Sequence, residues 1–267
     1  MALERVAQNG LVLLGCGKMG TALLTGWLGA GLPAASVWVI EPNPSDWLRG
    51  SGVHLNNGVP GAPAVALLAV KPQMMGAALP VLQALGNGGT LFLSIAAGTT
   101  IAAFEAALGD RTPIVRTMPN TPAMVNRGIT ALCRNAHVSD ADMALAVALM
   151  AAVGETVILD GEHQIDAVTA VSGSGPAYVF HLIEAMAAAG EAEGLSPEVA
   201  LQLARATVCG AGELAYRSAD SAAQLRINVT SPGGTTAAAL AVLMPELPGL
   251  MARAVKAAAE RGRELGK

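Results

Sequence analysis

The ten residues Leu11-Val12-Leu13-Leu14-Gly15-Cys16-Gly17-Lys18-Met19-Gly20 decide how the N-terminal half of this chain folds. Four consecutive apolar residues read as a strand covered on both faces. Glycines at 15, 17 and 20 follow in G-x-G-x-x-G spacing, and a helical pattern from Met19 to Ala30 closes at Gly31 and Pro33. In such a turn the first glycine permits the tight bend, the second lets a pyrophosphate approach the backbone, and the third lets helix pack on strand. The helix N-terminus adds backbone N–H groups and a partial positive charge. A glycine-rich loop alone is weak evidence, because many turns are glycine-rich. Here a strand precedes it, a helix follows it, and an acidic residue ends the next strand. We therefore expect Gly15, Cys16, Gly17, Lys18, Met19 and Gly20 to hold a dinucleotide, NADPH or NADH.

That acidic residue is Glu41, directly after Val37-Trp38-Val39-Ile40. A carboxylate there accepts bonds from the adenosine ribose hydroxyls and repels a 2′-phosphate. This favours NADH, but Asn43 and Ser45 are positioned to accommodate a phosphate, and a solvated loop charge is the plainer reading of Glu41. Coenzyme preference stays open at the level of sequence.

Beyond Glu41, apolar runs at 64–70, 90–95 and 113–118 alternate with helical patterns at 73–85 and 101–108. Runs at 129–133 and 156–159 and a helix at 140–152 complete a first domain expected over residues 1–162. Continuous apolar strands alternating with helices predict an α/β fold, a Rossmann-type doubly wound parallel sheet. The residues that end its strands, Ala69 to Pro72 and Ile95 to Gly98, then lie at the carboxyl edge, where ligands of such sheets bind. Over residues 163–267 the patterns are helical: 176–190, a helix capped by Ser196-Pro197 and running to 216, then 235–243 and 249–265. This predicts an all-α C-terminal domain. Its alanine faces, such as Ala185, Ala188 and Ala189, suit close helix packing and a second subunit.

Composition narrows the classes. The chain has 267 residues, 52% hydrophobic and 13% charged, and a mean hydropathy of +0.48 raises the question of a membrane span. The longest stretch without a formal charge, between Lys71 and Glu105, is interrupted by Pro80 and by Gly86-Asn87-Gly88-Gly89, so it is not one spanning helix of about 20 residues. A net charge of −4 gives no argument for nucleic acid or an anionic membrane. Cys16, Cys133 and Cys209 are odd in number and far apart, forming neither a disulfide framework nor a zinc pattern. With no signal-peptide pattern at Met1 to Arg5, a cytoplasmic location is expected. His54, His137, His163 and His181 show no ligand spacing, and no metal is expected.

Ser231-Pro232-Gly233-Gly234-Thr235-Thr236 stands directly before a helix, where unpaired backbone N–H groups form a small anion pocket suited to one carboxylate. An N-capped helix start is the simpler reading, but two glycines followed by two threonines exceed what a cap requires.

Together with this element, Ala69-Val70-Lys71-Pro72-Gln73, Ser94-Ile95-Ala96-Ala97-Gly98, Arg116-Thr117-Met118-Pro119-Asn120-Thr121-Pro122 and Val171-Ser172-Gly173-Ser174-Gly175-Pro176-Ala177-Tyr178 resemble the pyrroline-5-carboxylate reductase family. The resemblance covers nearly the whole chain in the family's order. The C-terminal stretch 225–240, LRINVTSPGGTTAAAL, is its most specific part. The resemblance implies hydride transfer from NADPH or NADH to the imine of 1-pyrroline-5-carboxylate, giving L-proline. It implies that Ala69, Val70, Lys71, Pro72, Ile95, Ala96 and Ala97 contact ribose and nicotinamide, with Asn56 against the adenosine half. It further implies substrate contacts from Ser174, Gly175, Asn228, Gly233, Gly234, Thr235 and Thr236. Thr236 is the candidate for orienting the imine nitrogen, with Ser172 or water delivering a proton. A homodimer or higher homo-oligomer, built through the C-terminal helices, is implied as well.

A protonated imine is already electrophilic, so alignment and exclusion of water suffice and no acid–base triad is needed. Two departures from the family pattern stand out: Ser221-Ala222 where many members carry His-Pro, and Ala239 in place of a glycine. Two other functions fit a dinucleotide domain joined to helices. A β-hydroxyacid dehydrogenase relies on a lysine in the helical domain, which here holds only Lys256 and Lys267, both near the C-terminus. A non-catalytic NAD(P)-binding sensor is the other.

Overall fold

The computed structural model describes residues 2–266 and divides into two compact units, Met1–Gly173 with Ala258–Lys267, and Ser174–Ala257. The first unit runs α1 (Ala2–Asn9), β1 (Leu11–Leu14), α2 (Lys18–Gly29), β2 (Val37–Ile40), α3 (Asp46–Arg49), β3 (His54–Leu55), β4 (Val65–Leu68), α4 (Pro72–Ala78), β5 (Leu91–Ser94) and α5 (Ile101–Leu108). It continues through β6 (Ile114–Met118), β7 (Gly128–Arg134), α6 (Asp140–Ala151), β8 (Gly154–Ile158) and α7 (Ile165–Val168).

The eight strands form one sheet in the order β3-β2-β1-β4-β5-β6-β7-β8. Every pair is parallel except β6 with β7. The doubly wound reading holds, with that one junction reversed. The link from Met118 to Gly128 carries only the short 3₁₀ turn Thr121–Val125, too little chain for the crossover that parallel neighbours require.

Alternate residues of the central strands enter opposite cores. Leu11, Leu13, Val65 and Leu67 pack on one side with Leu23, Leu24 and Trp27. Val12, Leu14, Ala66 and Leu68 pack on the other with Phe92 and Phe104. Two covered faces are the reason these strands are continuously apolar rather than alternating. Trp27 is fully buried, and its indole N–H donates to the Leu149 carbonyl at 2.8 Å, tying α2 to α6.

The helix expected over 73–85 is α4 followed by a 3₁₀ segment, Leu79–Leu85. Pro80 lacks the N–H that would continue the α pattern. A π turn over Thr169–Gly173 leads, through the bend at Ser174, into the next helix.

The second unit holds α8 (Gly175–Ala192), α9 (Pro197–Arg217), α10 (Ala222–Asn228) and most of α11 (Thr235–Leu265). Ser196 accepts from the Val199 N–H to start α9, and Ser221 caps α10 in the same way through the Gln224 N–H at 3.2 Å. The two helices expected at 235–243 and 249–265 are one. Pro245 and Pro248 lie inside α11, where each removes a single hydrogen bond while alanine, leucine and methionine around them favour the helix. By length and composition α11 is long and apolar enough to cross a membrane.

Candidate active site

The glycine turn sits at the carboxyl edge of the sheet, where the strand order reverses between β1 and β4. Gly15 has φ +87°, and a Cβ there would stand 3.0 Å from the Ala69 backbone and closer still to the Val70 side chain. At Gly20 a Cβ would meet the Gly15 carbonyl oxygen at 2.8 Å. These two glycines are required by the protein's own packing. Gly17 is not: a Cβ there meets no atom within 4 Å. As the N-cap of α2 it brings no side chain to take up the first N–H groups of the helix. Such a terminus is built for phosphate, and a dinucleotide fits the residues present.

The neighbouring strand ends complete this edge. The Ala69 N–H donates to Leu14 at 2.8 Å and the Ile95 N–H to Leu68 at 3.1 Å. Val70, Lys71 and Pro72, and likewise Ala96 and Ala97, therefore follow directly where β4 and β5 leave the sheet. Lys71 is exposed and stands at the N-cap of α4.

Glu41 ends β2 beside the glycine turn. Its carboxylate accepts from the Cys16 N–H at 2.8 Å and from the Asn43 N–H at 2.9 Å. Asn56, in left-handed backbone at φ 52°, accepts from the Glu41 N–H and donates to the Glu41 carbonyl, both at 2.9 Å. Both ends of the Asn56 amide thus grip the backbone of Glu41. No local pattern in the sequence signals this reciprocal pair. Burial pushes the Cys16 thiol up; the Thr21 hydrogen bond opposes this and the Glu41 charge adds to it.

Ser172 lies in the π turn, half-buried. Asn120 accepts from the Ile129 N–H at 2.9 Å, which fixes its amide so that Nδ2 donates to the Ser172 Oγ at 3.3 Å. The serine proton is then directed away from Asn120. Asn120 stands in the Arg116 to Pro122 segment, where sequence alone gives it no role; its partner lies 52 residues away. An apolar groove of about 340 Å³ opens beside Ser172, lined by Ile129, Val157, Val168 and Val171 among others. Arg116, deeply buried, holds Glu162 at 2.6 Å, and Glu162 also accepts from the Ile101 N–H at 2.8 Å. Burial, with the Glu162 charge, pushes the nearby Cys133 thiol up to about 11.

On the second unit, Ser174 is the N-cap of α8 without a side-chain cap bond, and Gly175 and Pro176 form the first turn. The Gly234 N–H donates to Ser231 at 3.1 Å, closing the turn that starts α11 at Thr235. Asn228 is committed within its own segment, accepting from Gln224 at 2.8 Å and donating to Asp220 at 3.3 Å. The cofactor-side residues thus converge on one sheet edge. The substrate-side residues divide, with Ser172 on the first unit and the others on the second. Among the described residues no group of three His, Cys, Asp or Glu could hold a metal.

Two family models match the chain. One, described as pyrroline-5-carboxylate reductase dimerisation, covers residues 162–265. The other, described as NADP oxidoreductase coenzyme F420-dependent, covers residues 10–98. The pyrroline-5-carboxylate reductase of Pseudomonas aeruginosa is 41% identical over 264 residues, 96% of this chain and 97% of that protein. A solved pyrroline-5-carboxylate reductase from Coxiella burnetii superposes with a TM-score of 0.91 at 35% identity, covering 97% of this chain and 99% of the other. A Plasmodium falciparum pyrroline carboxylate reductase with NADP bound gives 0.81 at 30% identity, covering 97% and 98%.

Proposed function

The chain belongs to the pyrroline-5-carboxylate reductase family, and we propose from that premise how its residues divide the work of the reaction. It reduces 1-pyrroline-5-carboxylate to L-proline with NAD(P)H. The observation that carries the reading is the dinucleotide turn, open at Gly17, on the same chain as a helical unit of the reductase's dimerisation type.

When bound, the reduced nicotinamide supplies a hydride to the imine carbon. The amides opening α2 receive the pyrophosphate, and the backbone of 69–72 and 95–97 orients the ribose and nicotinamide. Asn56 holds Glu41, and with it the adenosine side, in place. With the Gly234 N–H closing the turn on Ser231, the N–H groups of Gly233, Thr235 and Thr236 receive the substrate carboxylate, and the Thr236 hydroxyl orients the ring nitrogen. Ser172, its oxygen already accepting from Asn120, is the first unit's candidate for relaying a proton from solvent to the reduced nitrogen, with water itself as the alternative. Ser174, Gly175 and Asn228 line the substrate side.

The protein acts on a small molecule and assembles as a homo-oligomer. We assign the assembly to the apolar faces of the helical unit, as a homodimer or higher oligomer in the cytoplasm. Glu246, Arg253, Lys256 and Glu260 along α11 favour a protein partner over lipid for that helix.

Oxidation of NADH or NADPH in the presence of pyrroline-5-carboxylate tests the activity, with oxidation of a 3-hydroxyacid in reverse as the comparison. Thr236→Val is expected to lower kcat/KM for the imine about tenfold or more, the loss of one hydrogen bond made in the transition state, with coenzyme affinity unchanged. Turnover of the hydroxyacid but not the imine would replace the reading with a hydroxyacid dehydrogenase. Coenzyme binding without turnover of either would make the chain a sensor.

A further inference from the structure

The surroundings of Glu41 choose between the two coenzymes. A carboxylate whose oxygens each take one N–H, from Cys16 and from Asn43, retains lone pairs for two ribose hydroxyls. A 2′-phosphate needs the opposite: cations and unspent donors. The Asn43 N–H is already given to Glu41 at 2.9 Å. Ser45 Oγ is the N-cap of α3, accepting from the Leu48 N–H at 3.3 Å, and its O–H is an uncharged side-chain donor this segment keeps in reserve. The His54 ring stacks on Trp38, with its Nε2 2.9 Å from the Ala35 carbonyl. The Asn56 amide is used at both ends on the Glu41 backbone. From Glu41 to Gly50 the charged residues are Glu41, Asp46 and Arg49, the single cation standing at the far end of α3 and outnumbered by the two carboxylates.

We propose that this chain selects NADH over NADPH, and that Glu41 is the residue that discriminates. The assignment rests on the dinucleotide reading of the glycine turn. Admitting a 2′-phosphate requires either two like charges side by side or withdrawal of the carboxylate. Withdrawal breaks its bonds to Cys16 and Asn43 and loosens the turn that receives the pyrophosphate. Asn56 opposes that motion by holding the backbone of Glu41 at both its N–H and its carbonyl.

The experiment measures dissociation constants of NADH and of NADPH by calorimetry without any imine, for the wild-type enzyme, Glu41→Gln and Glu41→Ser. Steady-state kcat/KM for each coenzyme is determined in parallel. The wild type is expected to bind NADH at least about tenfold tighter than NADPH, the equivalent of one good polar contact. Both variants are expected to weaken NADH and strengthen NADPH, so that the ratio shrinks about tenfold or reverses. Glu41→Gln keeps an acceptor for the Cys16 N–H and guards against a loosened fold. Preference of the wild type for NADPH overturns the proposal. So does weakening of both coenzymes by one factor, which would make Glu41 a brace for the turn and nothing more. Tight NADH binding with no imine turnover would count against the reductase reading and leave the coenzyme assignment standing.

Discussion

The sheet unit buries Trp27, Phe92 and Phe104 completely, whereas in the helical unit the buried apolar core is Ala187, Ala200 and Ala204. On those helices Phe180, Leu203, Ile227, Leu243 and Leu250 are each more than half or about half exposed. Large apolar side chains exposed in such number mark a surface that takes a partner. The difference separates two ways of being stable. Residues 1–173 close their own core by covering both faces of a parallel sheet. Residues 174–257 present alanine where helices touch each other and large side chains where a second copy belongs.

The sharpest way to break this contrast is to remove a core residue from the self-sufficient side. Trp27→Ala deletes a fully buried indole and leaves the Leu149 carbonyl without its donor. A loss of about 3–5 kcal/mol is expected, read as a lower denaturation midpoint. The shift is expected to be the same across protein concentrations, because this core is internal to one chain. A change below about 0.5 kcal/mol would mean that the α2–α6 contact is not a pillar of the unit.

The helical side is expected to respond differently. Leu243 and Leu250 lie seven residues apart on one face of α11 and are about half exposed. As solvent-facing positions, Leu243→Asp and Leu250→Asp would each change stability by no more than about 0.5 kcal/mol. As an interface they place charges in an apolar contact, weakening association by about 2–4 kcal/mol. Sedimentation velocity decides: the pair is expected to shift the protein toward monomer and to lower its thermal midpoint, as association no longer stabilises the fold. An unchanged oligomer would remove these positions from the interface.

The same contrast explains what was legible in the sequence. Strands β1 and β4 were plainest, because burial on both faces writes an unbroken apolar run; β2 and β5 follow closely, and β6 was legible despite Arg116 and Thr117 inside it. The glycine turn was plain because its spacing is local. β3, two residues long, is too short for any periodicity. The reversal of β7 depends on how far nine linking residues reach, which composition does not express. α11 reads as two helices because Pro245 and Pro248 are breakers in isolation, and only their context carries the helix through. The division at 162/163 expected from composition and the compact division after Gly173 bracket the segment Ile165 to Gly173, helical in texture yet packed with the sheet unit. Within the site, Gly15 to Gly20 and Glu41 were legible as a pattern. The grip of Asn56 on Glu41, of Asn120 on Ser172 and of Arg116 on Glu162 was not. Each joins residues 15 to 52 positions apart, and nothing near either partner announces the other.

The smallest effect lies at the rim of the sheet unit and sharpens the comparison from its polar side. Asp142 stands in the first turn of α6, where Ser139 caps the helix. Burial raises its carboxyl pKa, but hydrogen bonds from Ser139 and Arg5 and the Arg5 charge outweigh it, so the group ends below its ordinary 3.8. A carboxylate with a depressed folded pKa contributes stability that is present above the unfolded value and lost as pH falls through the folded one. The Arg5 side chain is 36% exposed, so solvent screening limits the contribution to about 0.5–1 kcal/mol. Asp142→Asn is expected to be less stable than wild type by that amount at pH 7. The gap is expected to close as pH falls below 3.8, as followed by denaturant titration of both proteins across that range. α1 carries the other half of this contact and buries Val6 against the sheet, so the ion pair adds to an attachment that apolar packing already makes. A gap that persists undiminished in acid would assign the whole effect to the shape of the residue and none to its charge.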